Sequence, residues 1–289
     1  MAFASRRTFL KSSGAVAAAA CLAADRLAAA PLRLPIGLQL YSVRNLLPKD
    51  FEGTLHQLGA AGYTEVEAAG YYDKTAADFG NAMQRAGLRC ISTHHPMSLL
   101  RPQLEQLIEY GQALGLEYII CSSPGGVHHD TTAVSGELTL EDWRYVAGEF
   151  NKIGERVRAA GMTFGYHNHG PEFGSENGVV FYDELMRLTD PKLVLFELDC
   201  GWISAAGHDP VKYLSKAPER FPLLHVKDMV KGPNGQFHST IMGKGLVDYR
   251  PILRAATGLK HYFIEQEEFE GDPMDALRKD AEYMRKLDV

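Results

Sequence analysis

Eight short apolar runs recur along this chain, each followed by a stretch with helical spacing, and that alternation limits the fold more than any other feature. The runs cover 36–41, 65–69, 89–93, 118–122, 162–167, 193–199, 223–227 and 262–267. Each is rich in aliphatic and aromatic residues and bounded by Gly, Pro, Asp or His, as strands are. Amphipathic segments lie between them at 50–61, 76–86, 99–114, 140–160 and 209–217, and a closing one at 272–287. One device marks the helix-to-strand joints: Ala61-Gly62-Tyr63, Ala86-Gly87-Leu88, Leu114-Gly115-Leu116 and Ala160-Gly161-Met162. In each, glycine can take the left-handed conformation that ends a helix, and an apolar residue re-enters the core. The repeating unit predicts an α/β fold of one domain over 31–289, a (β/α)8 barrel. A doubly wound open sheet would place a Gly-rich phosphate turn after its first strand, whereas Ser42-Val43-Arg44-Asn45 follows here.

Residues 1–30 read as an address rather than as structure. Ser5-Arg6-Arg7-Thr8-Phe9-Leu10-Lys11 precedes an alanine-rich run from Gly14 to Ala24, and Ala28-Ala29-Ala30 offers a small-residue cleavage site. The run is too short to span a bilayer. The paired arginines resemble the bacterial twin-arginine export signal. This implies the twin-arginine translocase as a partner during export and the periplasm as destination. The leader holds Arg6, Arg7, Lys11, Asp25 and Arg26, net +3, so cleavage after Ala30 turns a formal charge of −6 into −9. That balance opposes a nucleic-acid partner, because nothing would displace counterions from phosphates. Of the four cysteines, Cys21 falls in the leader, and Cys90, Cys121 and Cys200 lie in or beside strands, where buried thiols are expected.

In such a barrel the C-terminal ends of the strands build the site. Strand three ends His94-His95-Pro96, strand five His167-Asn168-His169-Gly170, and strand six carries Glu197 and Asp199 before Gly201-Trp202. Strand seven gives His225-Val226-Lys227-Asp228 and strand eight Glu265-Gln266-Glu267-Glu268. Five of the 11 histidines fall at these ends. A lone histidine there is usually structural, and a lone carboxylate often caps a helix. Four consecutive strands ending this way are different, because the ends converge on one axis and their charges need a neutralising cation. A divalent ion fits: Mn²⁺ first, with Zn²⁺, Co²⁺ or Mg²⁺ as alternatives. Glu197 and Asp199 share a face, as do His225 and Lys227, Glu265 and Glu267, and His167 and His169. Periodicity alone does not choose between the members of each pair.

These strand ends resemble the sugar isomerase/epimerase superfamily with xylose isomerase-like TIM barrels. The resemblance rests on residues 37–42 (Gly-Leu-Gln-Leu-Tyr-Ser), Asp199-Cys200-Gly201, His225-Val226-Lys227-Asp228, Gly243-Lys244-Gly245 before Val247-Asp248, and Ile264-Glu265. It implies one divalent ion held from strands five to eight, at His167, Asp199, His225 and Glu265, with His169 or Glu172 as substitutes on strand five. Two positions depart from the pattern. His167 stands where relatives have Glu, and Trp202 where they often have His. The inosose dehydratase branch is similar at both His-x-His and His-x-Lys-Asp.

The resemblance implies a sugar isomerase or epimerase that takes a proton beside a carbonyl, with the ion stabilising the enediolate. A carbon–oxygen lyase on a keto-sugar or keto-glycoside is the competitor, and a metal-free sugar-binding protein is the least supported reading. DNA repair, known among relatives, is opposed by the charge and the leader. Glu265 is the candidate base. Lys227 is a candidate donor to a substrate oxygen, and Glu267 a second acid/base or a partner for Lys227. His95, Glu67 and His169 are candidates for binding sugar hydroxyls. Tyr41 and Trp202 offer walls for a sugar ring, with core packing the stronger single reading for both. Asp228 reads as a cap or orienting group. The polar loop from Ser122 to Thr139, with His128-His129-Asp130, is long enough for a lid. No clear phosphate nest is visible, so a phosphorylated substrate is not expected. The resemblance also admits a homodimer.

Overall fold

The computed structural model describes residues 33–126 and 138–289. The leader and His128-His129-Asp130 lie outside the described residues.

Eight parallel strands close into a barrel in sequential order. They are β1 (Gly37–Gln39), β2 (Glu65–Ala68), β3 (Arg89–Pro96), β4 (Tyr118–Ser123), β5 (Thr163–His167), β6 (Val194–Asp199), β7 (Leu223–Val226) and β8 (His261–Ile264). The helices around them are α1 (Phe51–Ala61), α2 (Ala76–Arg85), α3 (Met97–Leu114), α4 (Leu140–Ala159), α5 (Phe181–Leu188), α6 (Cys200–Ala205), α7 (Pro210–Lys216), α8 (Tyr249–Ala255) and α9 (Pro273–Lys286). β8 pairs with β1 through Gly37 opposite Phe263, closing the ring. The expected (β/α)8 barrel is therefore the observed one. Among the described residues no helix is long and apolar enough to cross a membrane.

Local chemistry explains most boundaries. The four joint glycines, Gly62, Gly87, Gly115 and Gly161, all have positive φ, between 71° and 103°. Thr139 and Asp142 form a reciprocal capping box at the start of α4. Asp50, Thr75, Asp209, Asp248 and Asp272 cap other helices by accepting backbone N–H bonds.

Three helices escaped the periodicity reading. α5, α6 and α8 have 8, 6 and 7 residues, about two turns at most, and of the helices this short only α7 was anticipated, at 209–217. Strand ends also shifted. β1 gives way to a 3₁₀ turn, Leu40–Val43, so Tyr41 is not in a strand. β3 runs on to Pro96 and takes His94 and His95 into the barrel wall. β8 stops at Ile264, leaving Glu265–Glu268 as irregular backbone.

The core has two parts. A large one lies between strands and helices, with Trp143, Phe150, Phe164, Phe196 and Tyr182 buried in it. A small one, Ile91, Tyr118, Ile120, Leu223 and Phe263, fills the barrel interior. Burying such side chains is worth roughly 1.5–3 kcal/mol each, and the inner plug separates the polar groups of the upper barrel from the Glu65–His261 pair at the other end.

One carboxyl in the outer shell gives a stability test. Asp280 on α9 is fully buried and accepts from the Met242 N–H at 2.8 Å. Burial pushes its carboxyl up to about 7 from 3.8, against the Met242 bond. Because the folded value is the higher one, its contribution to stability is greatest below pH 3.8 and declines as pH rises through about 7. Asp280→Asn removes that dependence. The stability of the variant relative to wild type, read from urea unfolding, should improve by about 3 kcal/mol between pH 5 and pH 8; a pH-independent difference would mean that Asp280 is ionised throughout.

Candidate active site

The C-terminal ends of the strands enclose a cavity of about 690 Å³. His94, His167, His169, Glu265 and Glu267 face it as polar groups, and Tyr41, Ala69, Pro96, Leu99, Pro171 and Trp202 form its apolar walls. No Lys or Arg is among the described residues lining it.

The upper tier of the axis joins four residues that the resemblance had selected. His167, Asp199, His225 and Glu265 each present a ligand atom, all within 4.8 Å of one another, and all four are buried. Local structure aims each one. Asp199 ends β6 and caps α6: its Oδ1 accepts from the Trp202 N–H at 2.7 Å, leaving Oδ2 for the axis. The Asp199 N–H in turn donates to Asn168 Oδ1 at 3.0 Å. Gly201 is required beside it, because a Cβ there would come within 2.6 Å of the Lys227 carbonyl oxygen. His225 directs Nδ1 at Glu265 Oε2, 3.1 Å away.

Lys227 sits within this tier, fully buried. Its Nζ lies 2.6 Å from Glu267 Oε1, 2.7 Å from Glu265 Oε2 and 3.3 Å from Asp199 Oδ2, and 5.2 Å from the centre of the Trp202 ring. Burial raises the Glu265 carboxyl, but the charges of Lys227 and His225 outweigh it and hold the group well below its usual range. Glu267 goes the other way, raised by burial and by Glu265 against the pull of Lys227. Opposite shifts in neighbouring carboxyls are the pattern of a base beside an acid.

The irregular run Glu265–Glu268 is clamped from both sides by side chains. The Gln266 N–H donates to Ser42 Oγ at 3.0 Å, and the Glu267 and Glu268 N–H groups donate to Ser239 Oγ at 2.7 and 3.1 Å. Arg44 donates to the Glu267 carbonyl at 3.2 Å and lies 4.1 Å above the Tyr41 ring. Ser239 belongs to a hairpin, Asp228–Lys231 with Phe237–Thr240. Asp228 anchors the loop that follows by accepting N–H bonds from Gly243, Gly245 and Val247 at 2.9, 2.8 and 3.1 Å. This is the orienting part expected of it.

The remaining candidates fall in different places. His169 and His95 line the cavity, and each imidazole is lowered to about 3: both by burial first, His169 then by Lys227 and His95 by His94. His95 Nε2 lies 3.3 Å from both Tyr71 Oη and Thr93 Oγ1. Tyr41, 42% exposed, and half-buried Trp202 both face the cavity, so the core-packing reading of these aromatics is corrected. Glu172 is buried and accepts from the Tyr166 hydroxyl at 2.5 Å, outside the ligand group. Glu67 is not at the cavity surface. It is wholly buried beneath it, where Oε1 meets His94 Nε2 at 2.7 Å and His225 Nε2 at 2.8 Å, and Oε2 accepts from Ser92.

Two residues of this lower tier were noted at strand ends but given no role. Glu197, fully buried, and His94 meet at 2.7 Å. Burial and Glu67 push Glu197 up to about 7; burial lowers His94, but Glu67 and Glu197 raise it to about 9. The two-residue spacing of Glu197 from Asp199, and a carboxylate inside an otherwise apolar strand, were the available signals.

Comparison with known proteins agrees with this fold. Residues 55–287 match the family model described as xylose isomerase-like TIM barrel, and residues 4–23 match that of the twin-arginine translocation pathway signal sequence. An inosose dehydratase of Geobacillus thermodenitrificans is 24% identical over 274 residues, covering 82% of this chain and 89% of its own. A crystal structure of a sugar phosphate isomerase/epimerase from Parabacteroides distasonis has 27% identity and a TM-score of 0.71, covering 87% of this chain and 94% of the other. A 3-keto-D-glucoside 4-epimerase from E. coli shares the fold at 15% identity, with a TM-score of 0.68 over 88% of this chain and all of the other. By the length matched and the closed barrel, this chain belongs to the xylose isomerase-like TIM barrel family.

Proposed function

We propose that this chain is an exported enzyme that removes the proton next to a carbonyl in an unphosphorylated sugar or keto-sugar, and that it finishes as a carbon–oxygen lyase. The observation that carries the proposal is the Glu265–Lys227–Glu267 relay, a candidate base and a second carboxyl bridged by one ammonium at 2.7 and 2.6 Å. Glu265 takes the proton as the C–H bond breaks. Lys227 hands a proton on to Glu267 and recovers one from Glu265. Glu267 protonates the departing oxygen as the C–O bond breaks and a C=C bond forms. The proton lost from carbon leaves in the water or alcohol released.

The residues fit a divalent ion. His167 Nδ1 is buried without a hydrogen-bond partner, Asp199 Oδ2 has only the Lys227 ammonium 3.3 Å away, and two nitrogens with two oxygens suit Mn²⁺, Zn²⁺, Co²⁺ or Mg²⁺. His167, Asp199, His225 and Glu265 would hold it. When bound, such an ion supplies polarisation of the substrate carbonyl and stabilisation of the negative charge that develops there. Tyr41 and Trp202 flank the sugar, and His95 and His169 present ring nitrogens to its hydroxyls.

A second reading, isomerase or epimerase, is favoured by His169. This imidazole, neutral at pH 7, enters the cavity from the β5 side and offers a second group for returning the proton to carbon. The relatives named above carry both chemistries.

Incubation with keto-sugars and keto-glycosides in deuterated water tests the shared step. Glu265→Gln should lower solvent-deuterium exchange at least a hundredfold with the circular dichroism spectrum unchanged; wild-type exchange would remove Glu265 as base. Product mass separates the endings, since a lyase product has lost water or an alcohol and an epimer keeps its mass. Chelation to below one ion per ten chains should abolish turnover, and Mn²⁺ should restore it; full activity in the stripped protein would defeat the role given to the ion. Replacing Arg6→Lys and Arg7→Lys together should hold the chain in the cytoplasm, and a mature form still reaching the periplasm would refute export by this route.

A further inference from the structure

The barrel axis holds a second convergence of ligand atoms one tier below the site just described, and hydrogen bonding satisfies it only in part. Glu197 Oε2 lies 2.7 Å from His94 Nε2, 3.2 Å from His225 Nε2 and 3.2 Å from His167 Nδ1. Glu67 Oε1 lies 2.7 Å from the same His94 nitrogen and 2.8 Å from the same His225 nitrogen, and accepts from Gln39 Nε2 at 2.7 Å. Each imidazole nitrogen carries at most one hydrogen. His94 Nε2 therefore cannot serve both carboxylates fully, and neither can His225 Nε2. His167 Nδ1, on a residue 2% exposed, makes no hydrogen bond although a carboxylate oxygen is 3.2 Å away, and Glu197 Oε1 is also buried without a partner. Two buried atoms, His167 Nδ1 and Glu197 Oε1, are thus left unpaired where the surroundings screen little, which is costly unless a cation binds there.

We propose that His94, His167, Glu197 and His225 form a cation site of their own, with three imidazole nitrogens and one carboxylate oxygen. Their ligand atoms lie within 4.8 Å of one another. The set differs from the upper one, which has two nitrogens and two oxygens, and it favours borderline ions such as Zn²⁺ or Co²⁺ over Mg²⁺. Glu67 is the positioning partner, held by Gln39 and Ser92 and fixing the rings of His94 and His225. The two tiers share His167 and His225, and His225 turns Nδ1 to Glu265 and Nε2 to Glu197. A neutral imidazole offers one lone pair, so the tiers are alternative seats for one ion. Lys227 already neutralises Asp199 and Glu265 above, whereas among the described residues no ammonium is paired with Glu197 below. An ion that prefers nitrogen therefore takes the lower seat. This inference adds a second, alternative seat to the one named in the proposed function, and rests on that reading only for the presence of an ion.

The test loads the full chain with Zn²⁺ and with Co²⁺, and measures affinity, ions per chain and the visible Co²⁺ spectrum. His94→Asn should weaken Zn²⁺ at least tenfold and change the Co²⁺ spectrum, whereas Asp199→Asn should leave Zn²⁺ affinity within about twofold. X-ray absorption of the Zn²⁺-loaded wild type should count three imidazoles, a readout that does not depend on any variant folding. Two imidazoles, with Zn²⁺ lost in Asp199→Asn and retained in His94→Asn, would overturn the lower seat and leave the upper one standing. Failure of the wild type to hold any ion would overturn both this inference and the metal part of the proposed function.

Discussion

Burying charge on the barrel axis is the constraint on which the rest of this structure depends. Glu67, Glu197, Asp199, His225 and Lys227 are all without exposed surface, and Glu265 and His167 nearly so. An isolated ion in such surroundings costs several kcal/mol, and the cost is offset only where opposite charges and hydrogen bonds converge. Each group therefore needs the others in place, and each strand must end within a fraction of a residue of its partner. The apolar plug beneath, from Ile91 to Phe263, keeps the polar tiers at one end. That confines the chemistry to the mouth.

Outside the axis, the same economy is visible in how few parts do the aiming. A single side chain, Asp199, ends a strand, caps a helix and turns its free oxygen inward. Ser239 collects two N–H groups of the acidic run after β8, although it lies on a hairpin that is not part of the barrel. Asp228 holds the loop behind that hairpin, and Gly201 is small enough to let α6 approach the Lys227 backbone. These contacts explain why the motifs around residues 199–201, 225–228 and 243–245 travel together in one chain. They are the supports of one site.

Much of the architecture was legible because its determinants are local. The joint glycines and the alternation of apolar runs need only a few neighbouring residues to act, so the barrel and most of its helices followed from periodicity. Short helices did not, since α6 and α8 are set by capping and by packing rather than by a repeating stripe. In the site, parity paired the right side chains. It did not reveal that Glu67 lies under the cavity floor, or that His94 and Glu197 form a tier of their own, because their depth depends on stagger between strands. Tyr41 was read as core because an aromatic beside a strand usually is; the early end of β1 at Gln39 turned it to the cavity.

What the sequence determined by itself was the repeating βα unit, the export address and the gathering of imidazoles and carboxylates at strand ends, all properties of neighbouring residues. What only the tertiary structure decided was which of those groups meet and at what depth. Glu67 and His225 are 158 positions apart and 2.8 Å from each other. Such a distance is set by barrel closure and stagger, and no local pattern encodes it.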